Sequence, residues 1–324
     1  MCFPSGLAQC KGNWSRVTKD DSEGTYETVV VDQSGNGNFT SIQDAIDYVP
    51  SNNRWWFCIY VKAGLYTEKV NIPIDKPYII MKGEGKRKTL VVSDDHDSTA
   101  QSPTLLSSAD NIVIKSMGFM NSYNIPGNMS RMAPAVAAMI SGDKSAFYRC
   151  GFMGIQDTLW DDEGRHYFKK CTIQGAVDFI FGSGQSLYED CSIQVLGNYL
   201  EPGLPGFITA QGRSELGDEN GFVFKGCRVF GFGSAYLGRP WRACSRVLFV
   251  DSYLTEVVQP EGWDPWHLVG QEEYLVFAEQ GNYGPGADTS QRVSWEKQLS
   301  MDEVNHLSSM NYIDSEGWLA NQPI

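Results

Sequence analysis

A six-residue pattern returns six times in this chain: apolar, two variable positions, a pivot, one variable position, apolar. The instances are IKSMGF (114–119), FYRCGF (147–152), FKKCTI (168–173), YEDCSI (188–193), FKGCRV (224–229) and FVDSYL (249–254). Their pivots, Met117, Cys150, Cys171, Cys191, Cys227 and Ser252, are spaced by 33, 21, 20, 36 and 25 residues. A base period of 20–25 residues with occasional longer inserts is the signature of a solenoid whose loops vary in length. Each unit has room for short strands and none for a pair of helices. The spacing therefore predicts an all-β chain, a single-stranded right-handed parallel β-helix (solenoid) with short capping helices.

Equivalent positions of successive coils stack at the interstrand spacing of roughly 4.8 Å. Cys150, Cys171, Cys191 and Cys227 would then form an inward ladder. Two readings of it are open: a stack of small buried hydrophobes, or disulfides between neighbours, whose Cα spacing permits them. No CxxC pair is present, so a zinc ribbon is excluded. Solenoid ends need caps. Ile42, Ala45, Ile46 and Val49 follow helical spacing after Thr40 or Ser41, with Pro50 beyond. Ser300, followed by Asp302 and Glu303, starts a second short helix expected to reach about Met310. No interior linker interrupts the chain. The expected organisation is one domain over residues 26–324, with residues 1–25 as a loose leader.

Composition narrows the partners. Of 324 residues, 42% are apolar and 20% charged, which is globular composition, and the net charge is −13. So acidic a chain is a poor nucleic-acid binder, because phosphate contacts need basic patches. No run approaches the ~18 apolar residues of a membrane span. Met1–Cys10 lacks the basic and apolar regions of a secretory signal. Three N-x-[ST] sequons, at Asn13, Asn38 and Asn128, nevertheless suggest a secreted glycoprotein whose leader is not in this sequence.

The repeat also serves as a ruler. Asp157, in GIQDTL, lies seven residues after Cys150, and Asp178, in GAVDFIFG, lies seven after Cys171. The two aspartates should occupy one position in adjacent coils, roughly 5–6 Å apart. Like charges so close repel, so one carboxyl should keep its proton while the other ionises. That arrangement is a general acid beside a nucleophile or base. The plainer reading is two solvated turn aspartates, which the apolar neighbours Val177, Phe179, Ile180 and Phe181 disfavour.

Other chemistries lack their residues. There is no G-x-S-x-G elbow, H-E-x-x-H, phosphate-binding loop or G-x-G-x-x-G. The four histidines, His96, His166, His267 and His306, show no metal-ligand spacing, so neither metal nor cofactor is expected. In YLGRPW (236–241), Arg239 is either a surface cation or a partner that keeps one aspartate ionised. Trp241 either packs in the core or stacks on a sugar ring. With Trp55, Trp56, Trp263 and Trp266, it suggests an aromatic-lined cleft for a polysaccharide.

Five motifs now stand in order: AGLYTEKV (63–70), GIQDTLW (154–160), GAVDFIFG (175–182), ITAQGR (208–213) and LGRPW (237–241). Together they resemble the plant pectinesterases, or pectin methylesterases. GPGADTSQRVSW (284–295) and GWL (317–319) fit as well, so the resemblance runs from Thr28 to Leu319. It implies the same right-handed β-helix. It also implies that Asp178 matches the nucleophile, Asp157 the acid/base, and Gln156 a glutamine that stabilises the oxyanion. Arg239 and Trp241 match substrate-cleft residues, the arginine also holding the nucleophile. Thr99 falls near a substrate-contacting threonine. The implied reaction is hydrolysis of galacturonate methyl esters in pectin, releasing methanol, during cell-wall modification. The implied setting is the extracellular wall, as a monomer, with a proteinaceous pectinesterase inhibitor as a further partner.

One position departs from the pattern. The family carries a second oxyanion glutamine 22 residues before the QDTL glutamine, and Pro134 stands there. Proline has no side-chain donor. The departure keeps open a second reading, a pectin-binding wall protein of little activity. A third, a β-helix glycosidase or lyase acting on the pectin backbone, fits the QDTL and DFIFG pair less well.

Overall fold

The computed structural model describes residues 27–125 and 132–323. The 1–25 leader and the sequons at Asn13 and Asn128 fall outside the described residues. Asn38 lies within them, exposed, its Oδ1 accepting from the Val30 amide at 2.8 Å.

The strands form three sheets, of ten, eight and seven strands, paired in parallel. The chain visits them in turn. Ser145–Tyr148 joins the ten-stranded sheet, Gly151–Met153 the eight-stranded and Leu159–Asp161 the seven-stranded. Arg165–Lys169, Thr172–Gly175 and Ile180–Gly182 repeat the circuit one coil later. The register pairs Phe147 with Phe168, Phe152 with Ile173 and Leu159 with Ile180, so this coil advances 21 residues on all three faces. The chain is thus a parallel β-helix, and the repeat predicted from the pivots is its coil.

Each position of the repeat has a structural cause. The first apolar position builds an interior aromatic ladder. Phe147–Phe168, Phe168–Tyr188, Tyr188–Phe224 and Phe224–Phe249 have ring centroids 5.0, 4.5, 4.5 and 4.4 Å apart. Each such pair adds about 0.5–1.5 kcal/mol beyond its burial. The pivots are buried, and their cysteines are free thiols, which settles the ladder as small packed side chains. Each thiol donates to a carbonyl of the preceding coil: Cys150 to Ile114, Cys171 to Phe147, Cys191 to Phe168 and Cys227 to Tyr188, at 3.2–3.4 Å. Ser252 does the same with its hydroxyl, to Phe224. Immediately before the pivots, Ser116, Arg149, Lys170, Asp190, Gly226 and Asp251 all have φ between 49° and 62°. This left-handed residue turns the chain from the ten-stranded into the eight-stranded sheet.

A second buried polar feature lies one strand away. Asp161 accepts from the Tyr188 hydroxyl at 2.6 Å and meets His166 Nδ1 at 2.5 Å, while His166 Nε2 donates to Gly142 O at 3.0 Å. These bonds give a fully buried carboxylate the partners it needs.

Ile42–Tyr48 caps one end, with Ser41 as N-cap and Ile42, Ala45 and Ile46 turned inward. Its carbonyl end is closed by Lys76, whose Nζ donates to the carbonyls of Ile46, Asp47 and Val49. Towards the C-terminus, Ser300 and Glu303 form a reciprocal capping box on Met301–Leu307. That helix stops at Leu307, short of the expected Met310. Ser309 Oγ takes the His306 carbonyl at 2.8 Å, a local bond that competes with helix continuation. A separate turn of helix, Asn311–Asp314, follows.

Candidate active site

The two aspartates sit where the chain passes from the eight-stranded into the seven-stranded sheet. Gln156 bridges Val177 in parallel, and the Asp157 amide donates to Val177 O at 3.0 Å. Leu159 pairs with Ile180 just beyond. Asp157 and Asp178 therefore stand one above the other, a single interstrand step of roughly 4.8 Å apart along the backbone. Both are left-handed, with φ of 58° and 47°. Aspartate tolerates that region better than most residues, although it still costs about 1–3 kcal/mol.

Arg239 reaches Asp178 from two coils away. It lies on Ala235–Pro240 and shares a register column with Ala210 and Phe181. The small Ala210 leaves the intervening step clear. The guanidinium forms a two-pronged pair with Asp178, Nε to Oδ1 at 2.7 Å and a terminal nitrogen to Oδ2 at 2.5 Å. Arg239 is thus the partner of Asp178 and not a free surface cation, with a side chain 15% exposed.

The walls are aromatic. Trp160 and Phe181, each three residues beyond an aspartate, have ring centroids 5.1 Å apart, and Phe181 meets Trp241 edge-on at 6.0 Å. Trp241 is half-buried beside the site. Gly212 of the ITAQGR motif leaves room beside it: an added Cβ would lie 2.7 Å from Ser183 Oγ and 3.0 Å from the indole.

This apolar setting separates the carboxyls. Burial, then the charge of Asp178, pushes the Asp157 carboxyl up to about 7, against the opposing pull of Arg239. Burial raises Asp178 too, but the hydrogen bonds and charge of Arg239 pull it back, while Asp264 pushes it up. Both carboxyls are raised on balance, Asp157 the more, and only Asp178 has the arginine pair that favours its charged form.

The other expected residues divide. Gln156 is half-buried on the same edge as Asp157. The Ala135 amide donates to Gln156 O at 3.3 Å, which places Pro134 on that edge one coil earlier. Thr99 lies in the turn before Leu105–Ser107, a strand two steps along the seven-stranded sheet from Leu159–Asp161. The tryptophan cluster is corrected. Trp263 is a core residue, 1% exposed and packed on Phe277, while Trp55 and Trp56 precede Phe57–Val61 near the other end of the solenoid. Trp266 alone of those four joins the site, its ring centroid 4.0 Å from the Arg239 guanidinium carbon. Phe207, unmarked in the sequence reading because it lies outside the hexad, is 3.9 Å away. Among the described residues no group of three or more acidic, histidine or cysteine side chains is placed to hold a metal. No helix among them is long and apolar enough to cross a membrane.

The site is thus a stacked carboxylate pair, one member clamped by arginine, on the aromatic-lined flank of a parallel β-helix. The Pectinesterase family model matches residues 28–316. The chain is 60% identical over 306 residues to the Arabidopsis thaliana "Probable pectinesterase 29", covering 93% of this chain and 91% of that one. It is 59% identical over 300 residues to "Probable pectinesterase 55" of the same plant, covering 91% of each. The solved pectin methylesterase from carrot superimposes with a TM-score of 0.85 at 30% identity, covering 93% of this chain and 97% of that one. The chain belongs to the pectinesterase family, is a carboxylic-ester hydrolase of that type, and has its right-handed parallel β-helix.

Proposed function

We propose that Asp178 is the nucleophile and Asp157 the acid/base in the hydrolysis of galacturonate methyl esters. The observation that carries this reading is the in-register pair with Arg239 on one member only. The ionised, clamped Asp178 attacks the C6 carbonyl of the ester. Gln156 donates to the developing oxyanion. Protonated Asp157 delivers its proton to the departing methoxide, and methanol leaves. Asp157, now ionised, takes a proton from water, which opens the acyl-enzyme and regenerates Asp178. The products are methanol, a proton and a galacturonate carboxylate. Trp241 stacks on the sugar chain beside the reacting residue.

The biological setting follows the same reading: a secreted monomer that modifies pectin in the plant cell wall and is a target for a proteinaceous inhibitor. The exposed Asn38 sequon supports a glycoprotein. The test is methanol release from highly methylated pectin, run beside assays for new reducing ends and unsaturated products. Methanol alone supports the reading. Chain cleavage would transfer the pair to a glycosidase or lyase mechanism. Binding without any product would make this a pectin-binding wall protein, the outcome Pro134 keeps in view.

A further inference from the structure

Arg239 spans a two-coil gap to reach Asp178, so its many rotatable bonds must be frozen for both prongs of the pair to hold. The two prongs aim the guanidinium at the carboxylate but leave it free to pivot about the line joining the two bonded oxygens. Two rings restrict that pivot. Phe207 lies 3.9 Å and Trp266 4.0 Å from the guanidinium carbon, both within stacking distance.

Each ring is itself fixed. The Phe207 amide donates to Ala176 O at 2.8 Å, and its ring stacks on Tyr236 at 5.7 Å and 14°. Trp266 has φ of 49°, a conformation that is an outlier for a bulky residue. It is held there by Asp264, whose Oδ1 accepts the Trp266 amide at 2.6 Å, while the Asp264 amide donates to Gly238 O on the strand that carries Arg239. Trp266 is also 41% exposed, so core packing does not explain its strained backbone. Its ring lies instead over the guanidinium.

We propose that Phe207 and Trp266 are positioning residues that clamp the Arg239 guanidinium in the plane of the Asp178 carboxylate, with Asp264 setting the indole. The proposal rests on Asp178 being the nucleophile. Without the clamp, Arg239 rotates, one prong opens and the attacking oxygen loses its aim. Asp178, faced by Arg239, Asp157 and Asp264, also becomes harder to ionise.

The experiment compares Phe207→Leu and Trp266→Leu with the wild type and with Asp178→Asn, measuring kcat, KM and the acid limb of kcat/KM on methylated pectin. Each leucine variant should lose about tenfold in kcat with KM within about twofold, and its acid limb should move to higher pH. Phe207→Tyr, which keeps a ring, should restore most of the loss. Leucine variants that raise KM alone, with kcat and the acid limb unmoved, would show that the rings contact substrate and do not position Arg239. The exposed Trp266 site decides the matter alone if Phe207→Leu does not fold. An active Asp178→Asn enzyme would instead overturn the nucleophile assignment beneath the proposal.

Discussion

Asp157 is the residue on which chemistry and stability pull in opposite directions. Its carboxyl is raised to about 7, so the folded chain binds a proton more tightly than the unfolded chain, where aspartate titrates near 3.8. Stability therefore falls as pH rises between those two values, then levels off. Asp157→Asn removes that loss. Its melting temperature should match the wild type near pH 3, rise above it through pH 4 to 7, and stay several degrees higher beyond. The same variant should lose about 10²–10⁴ in turnover, since methoxide would leave unprotonated. A variant no more stable than wild type at pH 8 would mean Asp157 is ordinarily hydrated. In the proposed mechanism acylation needs Asp157 protonated, so wild-type kcat/KM should decline above about pH 7. Pro134 makes a separate prediction. A missing oxyanion donor costs about 10²–10³ in turnover, so Pro134→Gln should raise kcat on highly methylated pectin. A folded Gln variant no faster than wild type would show that the remaining donors suffice.

At the scale of the element, the hexad was legible because from Phe147 onward three interior columns repeat one chemistry: an aromatic, a small pivot and an apolar residue. These later pivots are limited in size by the coils on either side and each carries a donor, whereas Met117 has none. Ser252 fills the role with a hydroxyl. Cys171→Ser should therefore cost less than about 1.5 kcal/mol, while Cys171→Leu should cost about 1–3 kcal/mol by overpacking. Urea unfolding of both variants checks the contrast, and equal losses would contradict the ladder as described. The register of the aspartates could be read because each sits at a fixed offset from a pivot. The arms of the site drawn from Gly206–Gln211 and from 259–266 could not. Phe207 follows a loop of irregular length and carries no repeat signal. Trp263 and Trp266, three residues apart, look alike in sequence. Trp263 bridges Gly238 and packs on Phe277, whereas Trp266, at positive φ with its amide on Asp264, lies over Arg239.

The whole molecule adds its charge. A net −13 faces a product that becomes more anionic with every ester removed. Raising ionic strength from about 0.01 M to about 0.15 M shortens the screening length from about 30 Å to about 8 Å. KM for sparsely methylated pectin should fall over that range, and KM for highly methylated pectin should change little. Equal responses would place the recognition in local contacts such as Trp241 and not in the overall field. Solenoid architecture was readable from spacing alone, because coils contact only their neighbours and each must repeat the last. The pairing of Arg239 with Asp178 crosses two coils, and spacing left it an open alternative to a surface cation.

The account turns on Asp178 as the atom donor that attacks the ester. The direct measurement is the single-site variant Asp178→Asn, shown to be folded by circular dichroism and thermal melting, in the methanol-release assay. An amide cannot form the acyl intermediate, so turnover should fall at least about a thousandfold. Release above about a tenth of the wild-type rate from a folded variant would contradict it.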